Sequence, residues 1–305
     1  MKKIIGLFLL AGAMVACSKN DDASVSDIPE AMGVVTFAAA PQTAITTRVQ
    51  VELSTLGVDL PEADGSDLVL TITPPAGGYV DVQADSFSYK GTVGEYNGPD
   101  NRDARKRYLP ASSEPYRASL AWGNAETEGV NAPYFESRNA DGGVEQGFTI
   151  TERTNTEMRM TARMVKAVVR IDFTDAFRGY FANGAEMTLT TAAGATFKVG
   201  YKADGTEENI STPFFVLAGD GKSFTISGKA TKQRPAANIE PTTVVFTPVG
   251  RDGTVGQKVA EQSMYSYTFD VADANNVTVT VTITNEPVQE IGVGTTELND
   301  DSVMD

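Results

Sequence analysis

Few side chains in this sequence could take part in covalent chemistry. Histidine is absent from all 305 residues, and Cys17 is the single cysteine. Ser-His-Asp and Cys-His nucleophile systems are therefore excluded, as are His-ligated metals and internal disulfides. Carboxylates are plentiful, with 40 Asp and Glu, and glycoside hydrolysis needs only two of them. No pair sits in a context that nominates an acid and a nucleophile. Asp204-Gly205-Thr206-Glu207-Glu208-Asn209 offers oxygen ligands but lacks the spacing of a calcium loop, and it reads as a turn between strands. Gly292-Val293-Gly294 precedes no helix, so it is no phosphate loop. The expectation is a protein that is not an enzyme and holds no metal or cofactor. One binding chemistry remains open. Trp122 is the sole tryptophan and Tyr134 follows twelve residues later; exposed rings of this kind stack on the CH face of a sugar. The alternative is a tryptophan buried beside a loop.

Charge and composition narrow the partners. Twenty-five Lys and Arg against 40 acids give a formal charge of −15. Such a chain repels phosphate backbones, and no basic stripe restores a nucleic-acid role. With 41% hydrophobic and 21% charged residues the chain is globular, long enough for two domains of ordinary size. Asp100, Arg102, Asp103, Arg105, Lys106 and Arg107 form a mixed-charge island that reads as a solvated loop.

The N-terminus indicates an address. Lys2 and Lys3 precede the 13-residue apolar run Ile4–Ala16, too short to span a bilayer and suited to a signal peptide. The run ends in Met14-Val15-Ala16-Cys17, which resembles a bacterial lipobox, where cleavage leaves the cysteine as a lipidated first residue. An ordinary secretory signal with a chance cysteine is the alternative; the position of the only cysteine at the end of the signal favours lipidation. Several acyl chains, at about 0.8 kcal/mol per buried CH₂, would hold the protein firmly on a membrane. Polar residues 17–30 then read as a tether, and the acidic pair Asp21-Asp22 resembles the surface-export signals of Bacteroidota lipoproteins. Loss of residues 1–16 removes two lysines and takes the charge from −15 to −17. The expected location is the outer membrane, lipid-anchored and exposed on the cell surface.

Along the rest of the chain the apolar period is two. Val277, Val279, Val281 and Ile283 alternate with threonines, and Tyr265, Tyr267, Phe269 and Val271 alternate before them, which predicts a hairpin. A second hairpin is expected around Ala193-Gly194, and a third around Gly219-Asp220-Gly221, joining Phe214–Leu217 to Phe224–Ile226. Leu68, Leu70 and Ile72 mark a strand, and a short helix is expected at Asp175–Phe181. From Met158 to Met164 the apolar residues occupy even positions, and from Val165 to Phe173 odd ones. A strand buried on one face cannot change parity without exposing its core, so a bulge or a change of sheet is required there. Length favours the second. These patterns predict an all-β chain of two tandem antiparallel β-sandwich domains, 31–164 and 165–286, with 287–305 as an acidic tail or short terminal strand.

Specific stretches carry a resemblance. Tyr116–Ala121, Ala132-Pro133-Tyr134-Phe135-Glu136, Gly147–Ile150, the methionine-rich segment and Val169–Phe177 resemble a family of Bacteroidota surface lipoproteins of unassigned function, related in architecture to fimbrillins. That resemblance implies two transthyretin-like sandwiches and a structural or adhesive role through protein–protein contacts. Fimbrillins polymerise by strand exchange after a leader is cut behind an arginine. Thr46-Thr47-Arg48-Val49 resembles that context, which would make Arg48 a site of proteolytic maturation and place Val34, Val35 and Phe37 on a removable first strand. Independently of family, an unfilled sheet edge is a template another chain can complete. Partners would then be the outer membrane through the lipid, other fimbrial subunits, or surface glycans. The last segment, Glu286–Asp305, holds six acids and no basic residue, with only Ile291 and Val293 as an apolar pair, thin for a donor strand. This leaves a monomeric surface lipoprotein, binding glycans or a host ligand through loops at a sandwich end, as the competing reading.

Overall fold

The computed structural model describes residues 28–45, 51–77, 87–98, 108–139, 141–232, 243–249, 257–271, 279–283 and 289–290. These form three main sheets and two short helices, an all-β architecture.

The first sheet has eight strands. Its path runs Tyr89–Thr92, Val69–Thr73, Tyr116–Gly123, Tyr134–Ser137, Asn155–Met164, Met32–Gln42 and Tyr108–Pro110, with Gln146–Phe148 also against Tyr116–Gly123. Alternation decides which face is dry: Met158, Met160, Ala162 and Met164 are buried while Glu157, Arg159 and Thr161 between them are exposed. The sheet curls, because helix α1 (Val93–Asn97), next to one end of the path, touches a strand near the other. Tyr96 of α1 lies edge-on to both Tyr89 (5.0 Å) and Phe37 (5.2 Å). A capping box starts α1: the Glu95 N–H donates to Thr92 Oγ1 and the Thr92 N–H to the Glu95 carboxylate.

The chain leaves the first sheet after Met164 and enters the second at Ala167, where the parity of the apolar residues changes. The second sheet orders Gln289–Glu290, Val279–Ile283, Met264–Val271, Ala167–Phe173, Phe214–Val216 and Gly129–Val130. The third orders Glu207–Glu208, Thr196–Lys202, Gly184–Thr191, Ser223–Thr231 and Thr243–Val249, with Gln257–Lys258 on Ser223–Thr231. Between them lies one core, in which Val169, Ile171, Phe173, Tyr267 and Phe269 face Met187, Leu189, Val199, Phe224 and Ile226. Helix α2 (Asp175–Tyr180), N-capped by the Thr174 hydroxyl, adds Phe177 to it.

At one end the second sheet is dry on both faces. Val168, Phe215 and Met264 point away from the third sheet and join the core of the first. This is why Ala167-Val168-Val169 and Phe214-Phe215-Val216 are buried without alternation.

Most pairings are antiparallel, and the hairpins of Gly184–Thr191 with Thr196–Lys202 and of Met264–Val271 with Val279–Ile283 form as expected. Two pairings are parallel instead: Met32–Gln42 with Asn155–Met164, and Ala167–Phe173 with Met264–Val271. The hairpin expected around Gly219 does not form. Phe214–Val216 pairs in the second sheet and Ser223–Thr231 in the third, so the Gly219–Gly221 turn is a crossover between sheets. A run dry on both faces and a strand dry on one face belong to different layers, and the pattern of two compact apolar runs hid that difference.

Candidate functional site

The first strand, Met32–Gln42, has an asymmetric setting. One edge pairs with Asn155–Met164 through nine parallel register positions, Val34 to Gln42. Among the described residues, the other edge pairs with Tyr108–Pro110 at three positions, Met32 to Val34. Beyond Val34 side chains and a turn take over. Asn97 of α1 satisfies Phe37 twice, its Nδ2 donating to the Phe37 carbonyl at 2.7 Å and its Oδ1 accepting the Phe37 N–H at 3.2 Å. The turn at Gly65 packs on Ala39 so closely that a Cβ at Gly65 would lie 2.7 Å from the Ala39 oxygen. Val34, Val35 and Phe37 are all buried, and Phe37 also meets Phe148 edge-on at 5.8 Å. Each such side chain contributes about 1.5–3 kcal/mol by leaving water. Among the described residues the strand is thus a plug: apolar inward, tied along one edge by a ladder and, past Val34 on the other, by the Asn97 amide. Arg48, six residues past its end, lies outside the described residues, as do Cys17, the 100–107 island and residues 291–305.

The two aromatic residues expected to meet a ligand do not share a surface. Trp122 and Phe135 are cross-strand partners with rings 6.1 Å apart, on the core side of the sheet. The Trp122 indole N–H donates to Asp67 Oδ2 at 2.6 Å, so its polar edge is already occupied. Tyr134 pairs with Gly123, one position along, and alternation puts it on the opposite face. There its hydroxyl donates to Glu136, and burial with that carboxylate pushes the phenol up. Glu136 belongs to an ionic cluster that crosses between the halves of the chain. Arg138, mostly buried, contacts both Glu136 and Glu261 (3.2 Å), and Arg163 reaches Glu261 at 3.4 Å.

A second tie between the halves was invisible in the sequence. Lys166, between the first and second sheets, is 1% exposed, and its ammonium donates to the backbone carbonyls of Asn124 (2.7 Å), Thr127 and Ala132 (2.9 Å). Burial pulls its pKa down to about 8, opposed by the nearby Glu128 carboxylate. Glu128 is itself held by the Leu217 N–H (2.8 Å) and the Thr191 hydroxyl (2.6 Å), both from the second half. The next two residues, Gly129–Val130, extend the second sheet by pairing with Phe214 and Phe215. Residues 124–132 therefore act as a clasp.

The outer face of the third sheet carries a hollow of about 380 Å³. Across four strands its outward positions are Thr206 and Glu208, Gly200 and Lys202, Gly184 and Glu186, Lys229 and Thr231. Only glycine fits at two of them. A Cβ on Gly200 would lie 2.1 Å from the Ala185 oxygen, and Gly184, at φ +114°, would meet the Tyr201 oxygen at 2.8 Å. Tyr201 lies beneath, its hydroxyl on the Phe181 carbonyl, and burial pushes its pKa up to about 12. The Asp204–Thr206 turn at the rim is an Asx turn, with the Asp204 carboxylate accepting the Thr206 N–H. Among the described residues no three His, Cys, Asp or Glu come together as a metal site, and no helix is long and apolar enough to cross a membrane.

These features define an all-β protein of layered sheets, tied by a plug strand and a central clasp. The chain belongs to the family described as "Domain of unknown function (DUF4493)", whose model matches residues 59–296. Nothing among curated proteins matches it. Solved structures similar to it include a "putative cell adhesion protein" from Parabacteroides distasonis, at 10% identity and TM-score 0.42, covering 86% of this chain and 100% of that one. Another of the same description, from Bacteroides fragilis, shows 14% identity and TM-score 0.38, covering 85% and 99%. One described as "putative polysaccharide binding proteins", from Bacteroides thetaiotaomicron, shows 8% identity and TM-score 0.37, covering 86% and 98%.

Proposed function

We propose that the protein reaches the cell surface as a lipid-anchored precursor and, once cut, has a structural or adhesive role there, acting through strand pairing and protein–protein contacts and not through catalysis. Cys17 is the lipid attachment point and Arg48 the cleavage site. Cutting there would separate residues 17–48, which include the whole plug strand, from the body. The observation that carries this reading is the ladder of Met32–Gln42 with Asn155–Met164, longer among the described residues than any pairing on its other edge: withdrawing the strand exposes the edge of Asn155–Met164 and the apolar sites of Val35 and Phe37. A strand from a neighbouring subunit would fill the same groove with the same period of two.

The test uses two variants in the producing cell. Arg48→Gln should remain untrimmed in the membrane fraction and abolish heat-resistant, higher-mass species on gels, while Cys17→Ala added to that uncut chain should move it to the medium. Ladders that persist in Arg48→Gln, or an uncut chain equally membrane-bound with Cys17→Ala added, would reject the respective half of the proposal.

A further inference from the structure

We infer that the hollow on the outer face of the third sheet is a binding site for a neutral saccharide. It lies away from the plug strand, and the inference does not rest on strand exchange.

The hollow is lined by Gly184 and Gly200, where the neighbouring strand's backbone leaves no room for a side chain, in an outward row whose other members are Glu, Lys and Thr. Its volume of about 380 Å³ is within the size range of small-ligand clefts, about 300–1,000 Å³. Its floor is sheet backbone already committed to the ladders between Gly184–Thr191, Thr196–Lys202 and Ser223–Thr231. A peptide adding as a strand needs unpaired backbone groups at an edge, so this floor does not suit one. Recognition falls to the walls, where carboxylates and ammonium groups interleave.

Charge balance selects the ligand class. Glu186 and Glu208 share the outward row with Lys202 and Lys229; Glu207, on the rim beside Tyr201, is paired with Arg178, and Lys198 reaches Glu186 at 3.6 Å. With both signs present and partly paired, the hollow has no strong bias toward an anion or a cation, and the net charge of −15 repels polyanions. What the walls offer is acceptors beside donors. A sugar hydroxyl donates and accepts at once, so hydroxyls at opposite ends of a bound sugar unit are served by Glu208 on one rim and Lys229 on the other. Both side chains are exposed and take part in no ion pair among the described residues.

The experiment titrates the isotope-labelled full chain with laminarihexaose, maltohexaose and mannohexaose, following backbone amide NMR signals. Oligogalacturonate and fully deacetylated chitohexaose serve as charged comparisons. At least one neutral hexamer should move the Gly184 and Gly200 amides saturably. Glu208→Gln and Lys229→Met should each weaken that binding by about tenfold, with the thermal midpoint unchanged. The assignment is overturned if no neutral hexamer moves these signals, if only a charged oligomer does, or if both variants bind as the parent does. Trimming and ladder formation through Arg48 are read separately, so failure here leaves the strand-exchange proposal standing, and the reverse also holds.

Discussion

Lys166 places an ammonium group where water is excluded, and three carbonyls from one loop take over the role of its hydration shell. A buried charge is costly, but removing it would strand the carbonyls that now depend on it. Lys166→Met should therefore lower the unfolding free energy by about 2–4 kcal/mol in urea titrations. The pH dependence has a defined sign. The folded-state pKa, near 8, lies below the ordinary lysine value of 10.5. Between these values the unfolded chain binds more protons, so the group's contribution to stability rises with pH through that window. Urea midpoints at pH 7.5 and pH 10 should show a smaller rise for Lys166→Met than for the parent. Nothing in Arg163-Met164-Val165-Lys166-Ala167 marks the lysine as buried; its only signal is its place at the parity change, where a chain crossing between sheets must pass through the interior. Trp122 was more legible: its half-buried ring follows from its position at the end of an alternating strand, whereas its bond to Asp67 joins residues too far apart in sequence to be foreseen.

At the scale of elements, the strand Met32–Gln42 bears most weight. Phe37→Ala removes a ring packed against Tyr96 and Phe148 and should cost about 3–5 kcal/mol of stability, measured by denaturant unfolding. Asn97→Ala should cost less, about 1–3 kcal/mol, because the Phe37 amide and carbonyl lose their partner while the Phe37 ring keeps its packing. Under the proposed role both substitutions also speed loss of the leader once the chain is cut at Arg48. Strands and hairpins closed by turn residues could be read directly, since alternation and Gly or Asn turns are local signals. The two parallel pairings could not: Val34 meets Asn155 across more than a hundred residues, and no local pattern encodes such a partner. The crossover at Gly219 was misread for a related reason, because Phe214–Val216 is packed on both sides and so shows no period.

For the molecule as a whole, the second sheet is a shared layer, giving one face to its own core and, through Val168, Phe215 and Met264, one end of the other face to the first core. With the 124–132 clasp and the Arg138–Glu261–Arg163 cluster, it should make the two halves unfold together. Trp122 reports the first core alone, so its fluorescence and far-UV circular dichroism should trace one coincident urea transition; two separated transitions would show that the shared sheet does not couple them. The sequence allowed two sandwiches in tandem, and parity marked where the chain changes sheet. That one strand of the earlier half, Gly129–Val130, completes the later sheet was not legible, because two residues carry no period. The binding hollow was equally hidden, since its glycines become neighbours only through strand pairing. The most direct test of the central claim is N-terminal sequencing with native mass analysis of protein taken from the outer surface of the cell. The account predicts chains beginning at Val49, joined in assemblies of more than one subunit. Full-length lipidated monomers, still carrying Met32–Gln42, would contradict it.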